Sequence, residues 1–349
     1  MSRISVELAT SADDADLRRM LRENPMPGAI SVSFEREPNY FIGAKVEGPF
    51  HQVIIARDQS SGEMVAMGSR SIRDVYLNSA VQSVGYLSQA RIAPGYRAMR
   101  RALGRTFDFL RALHQDGRTR FYYTSIIEDN LPARRLFSAG LPGMPHFQEY
   151  ARMHTLAVYC RRKRRRLPIP DGLQLARGSS GHVTEIVACL QRNGVRYQLA
   201  PHWTSDTLFC PDHTPDLALG DFFLALDRKH VVGCLAAWDQ SRFKQAVVRG
   251  YSRPLGRWRV LVNVGARLAG WPVLPPPNTP FRYCYGSHLA VDDDNPHVFA
   301  ALLRALPNHP AGPGYSYFMV GLGEANPLRP VVTAPYRHIA HTSYLYLVS

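Results

Sequence analysis

Residues 84–104 read Val84-Gly85-Tyr86-Leu87-Ser88-Gln89-Ala90-Arg91-Ile92-Ala93 and then Pro94-Gly95-Tyr96-Arg97-Ala98-Met99-Arg100-Arg101-Ala102-Leu103-Gly104. The first ten residues have the composition of a strand, and Pro-Gly supplies a tight turn. Met99, Ala102, Leu103, Phe107, Leu110 and Leu113 then recur at helical spacing. A strand that turns sharply into a helix aims unpaired backbone N–H groups at one point, an arrangement that suits a diphosphate. Arg97, Arg100 and Arg101 add charge around it. The residues alone leave a plainer option open, a helix start with no ligand.

Working outward, similar elements occur twice. Val6–Thr10 and Leu173–Arg177 open two similar stretches, each followed by a helix, with Ser11 a candidate cap for the first. Hairpins are expected at Val53–Gly68 and Phe222–Ala237, and further strands at Val84–Ala93 and Arg282–Val291 lead into helices. Phe121–Asn130 and Tyr317–Asn326 are apolar strands that both end in Glu-x-Asn. The order is β-α-β-β-β-α-β-α-β, twice. The offset between the halves grows from 167 to 196, so the second carries about thirty extra residues, most of them in 251–280. The expectation is an α/β (α+β) protein of two tandem domains, residues 1–158 and 171–349, joined by a basic, Pro-containing linker at 159–170.

Composition narrows the function classes. With 349 residues, 45% hydrophobic and 20% charged, at a mean hydropathy of −0.21, the chain has the profile of a globular protein and not of a disordered one. No run reaches the roughly 18 apolar residues of a membrane span, and the first residues lack a secretion core, so a cytoplasmic location is expected and no membrane partner. The net charge of +14 comes from 42 basic residues, of which only Lys45, Lys163, Lys229 and Lys244 are lysines, which reads as the habit of a GC-rich bacterial genome. The run Arg161–Arg166 reads as a solvated linker, with phosphate binding as the alternative. Five scattered cysteines form no disulfide or zinc pattern and read as small buried hydrophobes. His338 and His341 fall in a strand-like segment, so no metal is expected. The four tryptophans, Trp203, Trp238, Trp258 and Trp271, are expected to pack in the core.

The stretch Ile92–Ala102 resembles the coenzyme A loop of the GNAT superfamily of N-acyltransferases, a strand followed by Val-x-Pro-x-x-Arg and then Arg/Gln-x-x-Gly-x-Gly/Ala, with Arg97 and Ala102 matching its ends. Asn130-Leu131-Pro132-Ala133-Arg134-Arg135-Leu136-Phe137 is similar to that family's Asn-x-x-Ala-x-x-Leu-Tyr. The resemblance covers residues 4–157 and implies that Ile92, Ala93, Arg97, Ala98, Met99, Arg100, Arg101, Ala102, Asn130, Ala133 and Phe137 bind acetyl-coenzyme A or another acyl-coenzyme A. It also implies direct attack by a small-molecule or peptide amine, with the Ile92 backbone N–H near the developing oxyanion. Tyr86, Ser88 and Glu128 are the polar candidates for catalysis, with Gln89 and Asp129 beside them. His51, ahead of the first hairpin, is read as a surface residue, with a place in the acceptor pocket as the alternative.

Two positions depart from the pattern. Arg100 replaces the central glycine, so its side chain must point away from the phosphates, and Phe137 replaces a tyrosine that could protonate the departing thiolate. In the second half, Asp292-Asp293-Asp294 stands where the loop would be and would repel a diphosphate; capping of the next helix is the simplest role for it. The second copy therefore reads as degenerate. Two other function classes remain: an acyl-coenzyme A sensor with little or no turnover, and an aminoacyl-tRNA-dependent transferase, against which the coenzyme A-like loop argues. Self-association into a homo-oligomer is compatible with the sequence.

Overall fold

The computed structural model describes residues 4–96, 99–140, 143–160, 172–306 and 314–349. The run Arg161–Arg166 and the loop residues Arg97 and Ala98 lie outside the described residues. The first half contains β1 (Ile4–Leu8), α1 (Asp14–Glu23), β2 (Ile30–Glu35), α2 (Tyr40–Lys45), β3 (Phe50–Asp58), β4 (Met64–Leu77), β5 (Ala80–Ile92), α3 (Met99–His114), β6 (Tyr122–Ile127), α4 (Leu131–Ser138) and β7 (Phe147–Tyr159). The second contains β8 (Leu173–Arg177), α5 (Val183–Gly194), α6 (Ser205–Leu208), β9 (Phe222–Asp227), β10 (His230–Trp238), β11 (Gln245–Tyr251), α7 (Arg253–Leu268), β12 (Thr279–Pro280), β13 (Tyr283–Val291), α8 (Pro296–Ala305), β14 (Tyr317–Gly323), α9 (Arg329–Thr333) and β15 (His338–Val348).

Twelve of these strands form one mixed sheet in the order β1-β3-β4-β5-β6-β15-β7-β14-β13-β10-β9-β8. All neighbours are antiparallel except β5/β6 and β13/β14, which sit at equivalent distances from the two edges. Where two separate, mostly antiparallel sheets were expected, the structure has one continuous mixed sheet flanked by helices. Each half lends its last strand to the other: β15 pairs with β6 and β7, and β7 pairs with β14 and β15. An unpaired edge strand would leave a row of backbone groups open, and the exchange satisfies them. Packing follows the exchange. Leu156 and Val158 of β7 belong to the core under α8, whereas Tyr344 and Tyr346 of β15 cluster with Ile126, Ala133 and Phe137 of the first half.

A second contact between the halves uses the extra segments. β2 pairs with β11, which also pairs with β12, and Arg249 of β11 donates to Ser33 Oγ (2.9 Å) and pairs with Glu35. α3 is pinned to the opposite face of the sheet by Arg70. Its guanidinium is fully buried and donates to both carboxylate oxygens of Asp116 (2.7 and 2.9 Å), to Tyr122 Oη (2.9 Å) and to the carbonyl of Leu113 (3.2 Å).

Several local expectations change. Thr10, not Ser11, accepts the capping bond at the start of the first helical segment, in a capping box with Asp13. Cys189, Cys234 and Cys284 are buried, but Cys160 and Cys210 are only partly so, and all five are free thiols. Trp238 is a core residue, while Trp258 on α7 and Trp271 just beyond it are 55% and 47% exposed; α7 lies outside the large sheet and buries only Ala266. His338 and His341 fall on β15, as strand residues. Among the described residues no helix is long and apolar enough to cross a membrane.

Candidate active site

β5 and β6 pair in parallel only at Gly85–Tyr122, Tyr86–Tyr123 and Leu87–Thr124, where Thr124 Oγ1 also donates to the Leu87 carbonyl (2.8 Å). Gly85 is required at this junction, since a Cβ there would stand 2.1 Å from the Tyr122 ring. Beyond Leu87 β5 leaves its neighbour. Gln89 takes a left-handed conformation (φ 56°), and the register with β4 slips between Met67 and Ser69. A gap opens between the two strands. The Ala93 N–H is donated to Val65 on the β4 side (2.8 Å), so the N–H of Ile92, one residue earlier in extended chain, faces the gap.

One face of this gap is polar. Ser88 Oγ donates to Glu47 Oε2 (2.6 Å), Gln89 Nε2 reaches Glu47 Oε1 (3.4 Å), and the Arg36 guanidinium pairs with the same carboxylate while lying 4.6 Å over the Tyr40 ring. Tyr40 Oη in turn bonds Ser69 Oγ (2.9 Å). Burial opposes ionisation of Glu47, but Arg36 and the Ser88 hydroxyl outweigh it and hold the carboxyl below its ordinary range. Tyr86 packs on Tyr123 with ring centroids 4.8 Å apart, and burial, with Glu47 and Tyr123 adding to it, pushes its phenol far up. Burial thus favours the protonated phenol, which can donate a hydrogen bond. His51, on β3, is held below its usual range by burial and then by Lys45, and its field includes Glu47, Arg36 and His213. His51 is partly buried, not a fully exposed surface residue.

The structure brings Tyr86, Ser88 and Gln89 together around Glu47 and leaves Glu128 elsewhere. Glu128 is exposed and accepts from Tyr344 Oη (3.1 Å), in the cluster beneath α4, not on the Glu47 face. Asn130 caps α4, its side chain accepting from the Ala133 N–H (3.3 Å). Phe137 packs against Phe147 and Phe107 with centroids 4.7 and 6.4 Å apart.

At the mouth of the gap, the Tyr96 N–H bonds the Ala93 carbonyl (3.1 Å) and Tyr96 Oη donates to Asp58 (3.0 Å), which fixes the Pro94–Tyr96 turn. Gly95 has φ 75° with no atom within 4 Å of where a Cβ would stand. Met99, Arg100 and Arg101 are exposed on the first turn of α3, so the Arg100 side chain is turned outward. Ala102 is fully buried against Ala56, Val65 and Ala66, and Ile92 packs on the same cluster. Ala102 therefore seats the helix on the sheet and does not line an open surface.

The corresponding turn of the second half is closed. Asp292 accepts from Arg192 (2.8 Å at both contacts) and from Asn193 Nδ2 (2.7 Å), and Asp294 takes Arg196 and Tyr197 Oη (2.5 Å). Asn295, not the aspartates, caps α8, through the N–H groups of His297 (3.0 Å) and Val298 (3.3 Å).

Sequence reading missed Glu47, Arg36 and Tyr123. No local pattern marks the first two, which meet through the fold of the α1–α2 segment; the strand register that places Tyr123 beside Tyr86 was the only available signal.

No family model and no curated protein matches the sequence. Solved structures do match. A region of a fungal multi-domain GH3 β-N-acetylglucosaminidase, described as a GCN5-related glucosamine N-acetyltransferase, aligns with a TM-score of 0.63 at 12% identity, over 100% of this chain and 38% of that one. A GCN5-related N-acetyltransferase from Sphaerobacter thermophilus gives 0.59 at 11% identity, over 99% and 95%. A protein of Enterococcus faecalis V583 described as a probable N-acyltransferase gives 0.53 at 10%, over 99% and 72%. The chain spans little more than a third of the first of these proteins. Its fold is that of the GCN5-related N-acetyltransferases.

Proposed function

We propose that the chain is a coenzyme A-dependent N-acyltransferase, most simply an N-acetyltransferase acting on an amine, with residues 1–158 and 171–349 as two copies of one unit and the cofactor held by the first. The observation that carries this is the gap between β5 and β6, with the Ile92 N–H on its edge and the Pro94–Tyr96 turn and α3 at its mouth. The strand order, which maps onto itself from either edge, supports the two-copy reading.

The residues at the mouth fit a diphosphate. Gly95 leaves space, the N-terminal end of a 16-residue helix supplies N–H groups and positive dipole, and the first turn bears Arg100 and Arg101 outward. Arg97 and Ala98 belong to the same stretch by resemblance. Acyl-coenzyme A, when bound, supplies an activated acyl group. The chain's own contribution is positional: the Ile92 N–H meets the oxygen on which charge gathers, and the protonated Tyr86 stands ready to donate. Glu47, paired with Arg36 and tied to Ser88, puts negative charge beside the gap and attracts the positive amine. One observation favours a second reading, binding without turnover: Phe137 has no proton to give and is packed among phenylalanines.

The test is calorimetry of acetyl-coenzyme A with the native protein and Gly95→Val, alongside release of free thiol on a panel of amines. A β-branched residue is strained at positive φ, so binding should weaken by about tenfold or more. Absence of heat with the folded native protein refutes the proposal, and binding without thiol release on any amine favours the second reading.

A further inference from the structure

Arg36, Arg70, Arg73 and Arg91 of the first half are withdrawn from bulk solvent in two different ways. Arg70 and Arg36 are almost fully buried and each faces a carboxylate, Asp116 and Glu47. Arg73 and Arg91 are partly buried, and among the described residues neither has a carboxylate within ion-pair distance. Arg91 donates to the carbonyl of its neighbour Ala90 (2.9 Å), and the Arg73 guanidinium lies 5.5 Å from the centre of the Trp203 ring. Burial pushes both below the usual guanidinium range, the reverse of the two paired arginines. A charge held out of water without a partner is costly.

Arg73 lines a cavity of about 380 Å³ at the seam, between β4 and the segment around Trp203. Unpartnered polar atoms lie in its wall and next to it. His213 lines the same cavity with a buried, unbonded Nδ1, and Ser71, two residues before Arg73 on the same face of β4, has a buried, unbonded Oγ. His288, whose ring centre is 4.7 Å from that of Trp203, has an unbonded Nε2. The acid in the wall, Asp74, is exposed and already accepts from Ser83 Oγ (2.6 Å), and Arg118, also in the wall, is paired with Asp116 (3.4 Å). Tyr123 and Glu47 both lie within electrostatic reach of Arg73, and Tyr123 packs on Tyr86, which puts Arg73 on the Glu47 side of the sheet.

We propose that this cavity is an acid-recognising acceptor subsite: the amine acylated by this protein carries a carboxylate or phosphate group, which Arg73 holds beside Trp203 while the amine reaches Glu47 and the gap. The inference rests on the acyltransferase reading for its substrate but not for its binding chemistry. A planar guanidinium with free donors suits either group, through paired hydrogen bonds.

The test uses product-like probes that need no chemistry. N-acetylglycine is compared with N-acetylglycinamide, and N-acetyl-O-phosphoethanolamine with N-acetylethanolamine, by calorimetry on the full chain at low salt. The acidic member of at least one pair should bind about tenfold more tightly or better, as expected of a charge-assisted hydrogen bond, and the pair with the larger preference identifies the group. Arg73→Gln should abolish that preference and Arg73→Lys restore part of it. Equal binding within both pairs, no binding of any probe, or a preference that survives in Arg73→Gln each overturns the proposal. Thiol release is measured separately: acid preference without turnover sinks the acyltransferase reading alone, and turnover without acid preference sinks only this subsite.

Discussion

The junctions β5–α3 and β13–α8 are the same backbone device put to different uses. In each, a strand pairs in parallel with the next for three or four residues, breaks register with its other neighbour at a residue of positive φ, Gln89 (56°) or His288 (49°), and turns into a helix. Around Gln89 the side chains are polar: Glu47, Arg36, Ser88 and Tyr86. Around His288 they are rings, Trp203, Trp238 and Phe222, with centroids 4.7, 5.6 and 5.7 Å away, and burial pushes the imidazole down to about 3. The first turn is short and bears glycine. In the second, Asp293 and Asp294 are left-handed, and Asp292 and Asp294 hold α5 and the residues that follow it. A splayed strand pair is therefore not itself a site; what fills the gap decides.

If charge in the gap is what distinguishes the first junction, the largest effect should follow from breaking its ion pair. Glu47→Gln leaves Arg36 buried and uncompensated and should cost about 3–5 kcal/mol in denaturant unfolding, while replacing both residues by methionine should recover most of that loss. Recovery would show that the first junction tolerates an apolar filling like the second. pH sharpens the point. Glu47 is depressed in the folded state, so its contribution is complete above the ordinary carboxylate range and is lost as pH falls through the lower folded value. The native protein should lose stability through that acid window more steeply than Glu47→Gln; parallel curves would mean that the pair contributes nothing.

A smaller effect is expected at the second junction. Asp292→Ala and Asp294→Ala each remove a partly exposed arginine contact together with a hydrogen bond, to Asn193 of α5 and to Tyr197 just beyond it, and should cost about 1–2 kcal/mol apiece. The acetyl-coenzyme A shift in melting temperature should be unchanged. A larger cofactor shift in either variant would show that the second turn is merely masked.

Much of this contrast was legible in the sequence because its determinants are local. Strand periodicity, the Pro94-Gly95 turn and Asp292–Asp294 are contiguous, and each lies where the pattern put it. What could not be read was contact across the fold. The exchange of β7 and β15 depends on which edge meets which, and alternation within a strand carries no such information. Glu47 follows a helix of only six residues, too short for its periodicity to announce a site, and the meeting of that segment with the bulge at Gln89 makes it part of the site. Glu128 misled for the converse reason: strand-end position is local, but the partner of its carboxylate, Tyr344, comes from the far end of the chain.

The least effect is expected where the first junction departs from its own pattern. A tyrosine at 137 would need its hydroxyl to reach the thiol at the gap, but the Phe137 ring is set between Phe147 and Phe107, on the α4 side of the sheet. Phe137→Tyr should therefore alter thiol release by less than about threefold, well short of the roughly 10²–10⁴ that a positioned general acid supplies. A tenfold rise would mean that the ring swings into the gap during turnover, and that the polar filling around Gln89 is incomplete in the natural chain. A fall with unchanged binding would place the cost in the aromatic cluster, so that the junction depends on α4 for its shape and not for a proton.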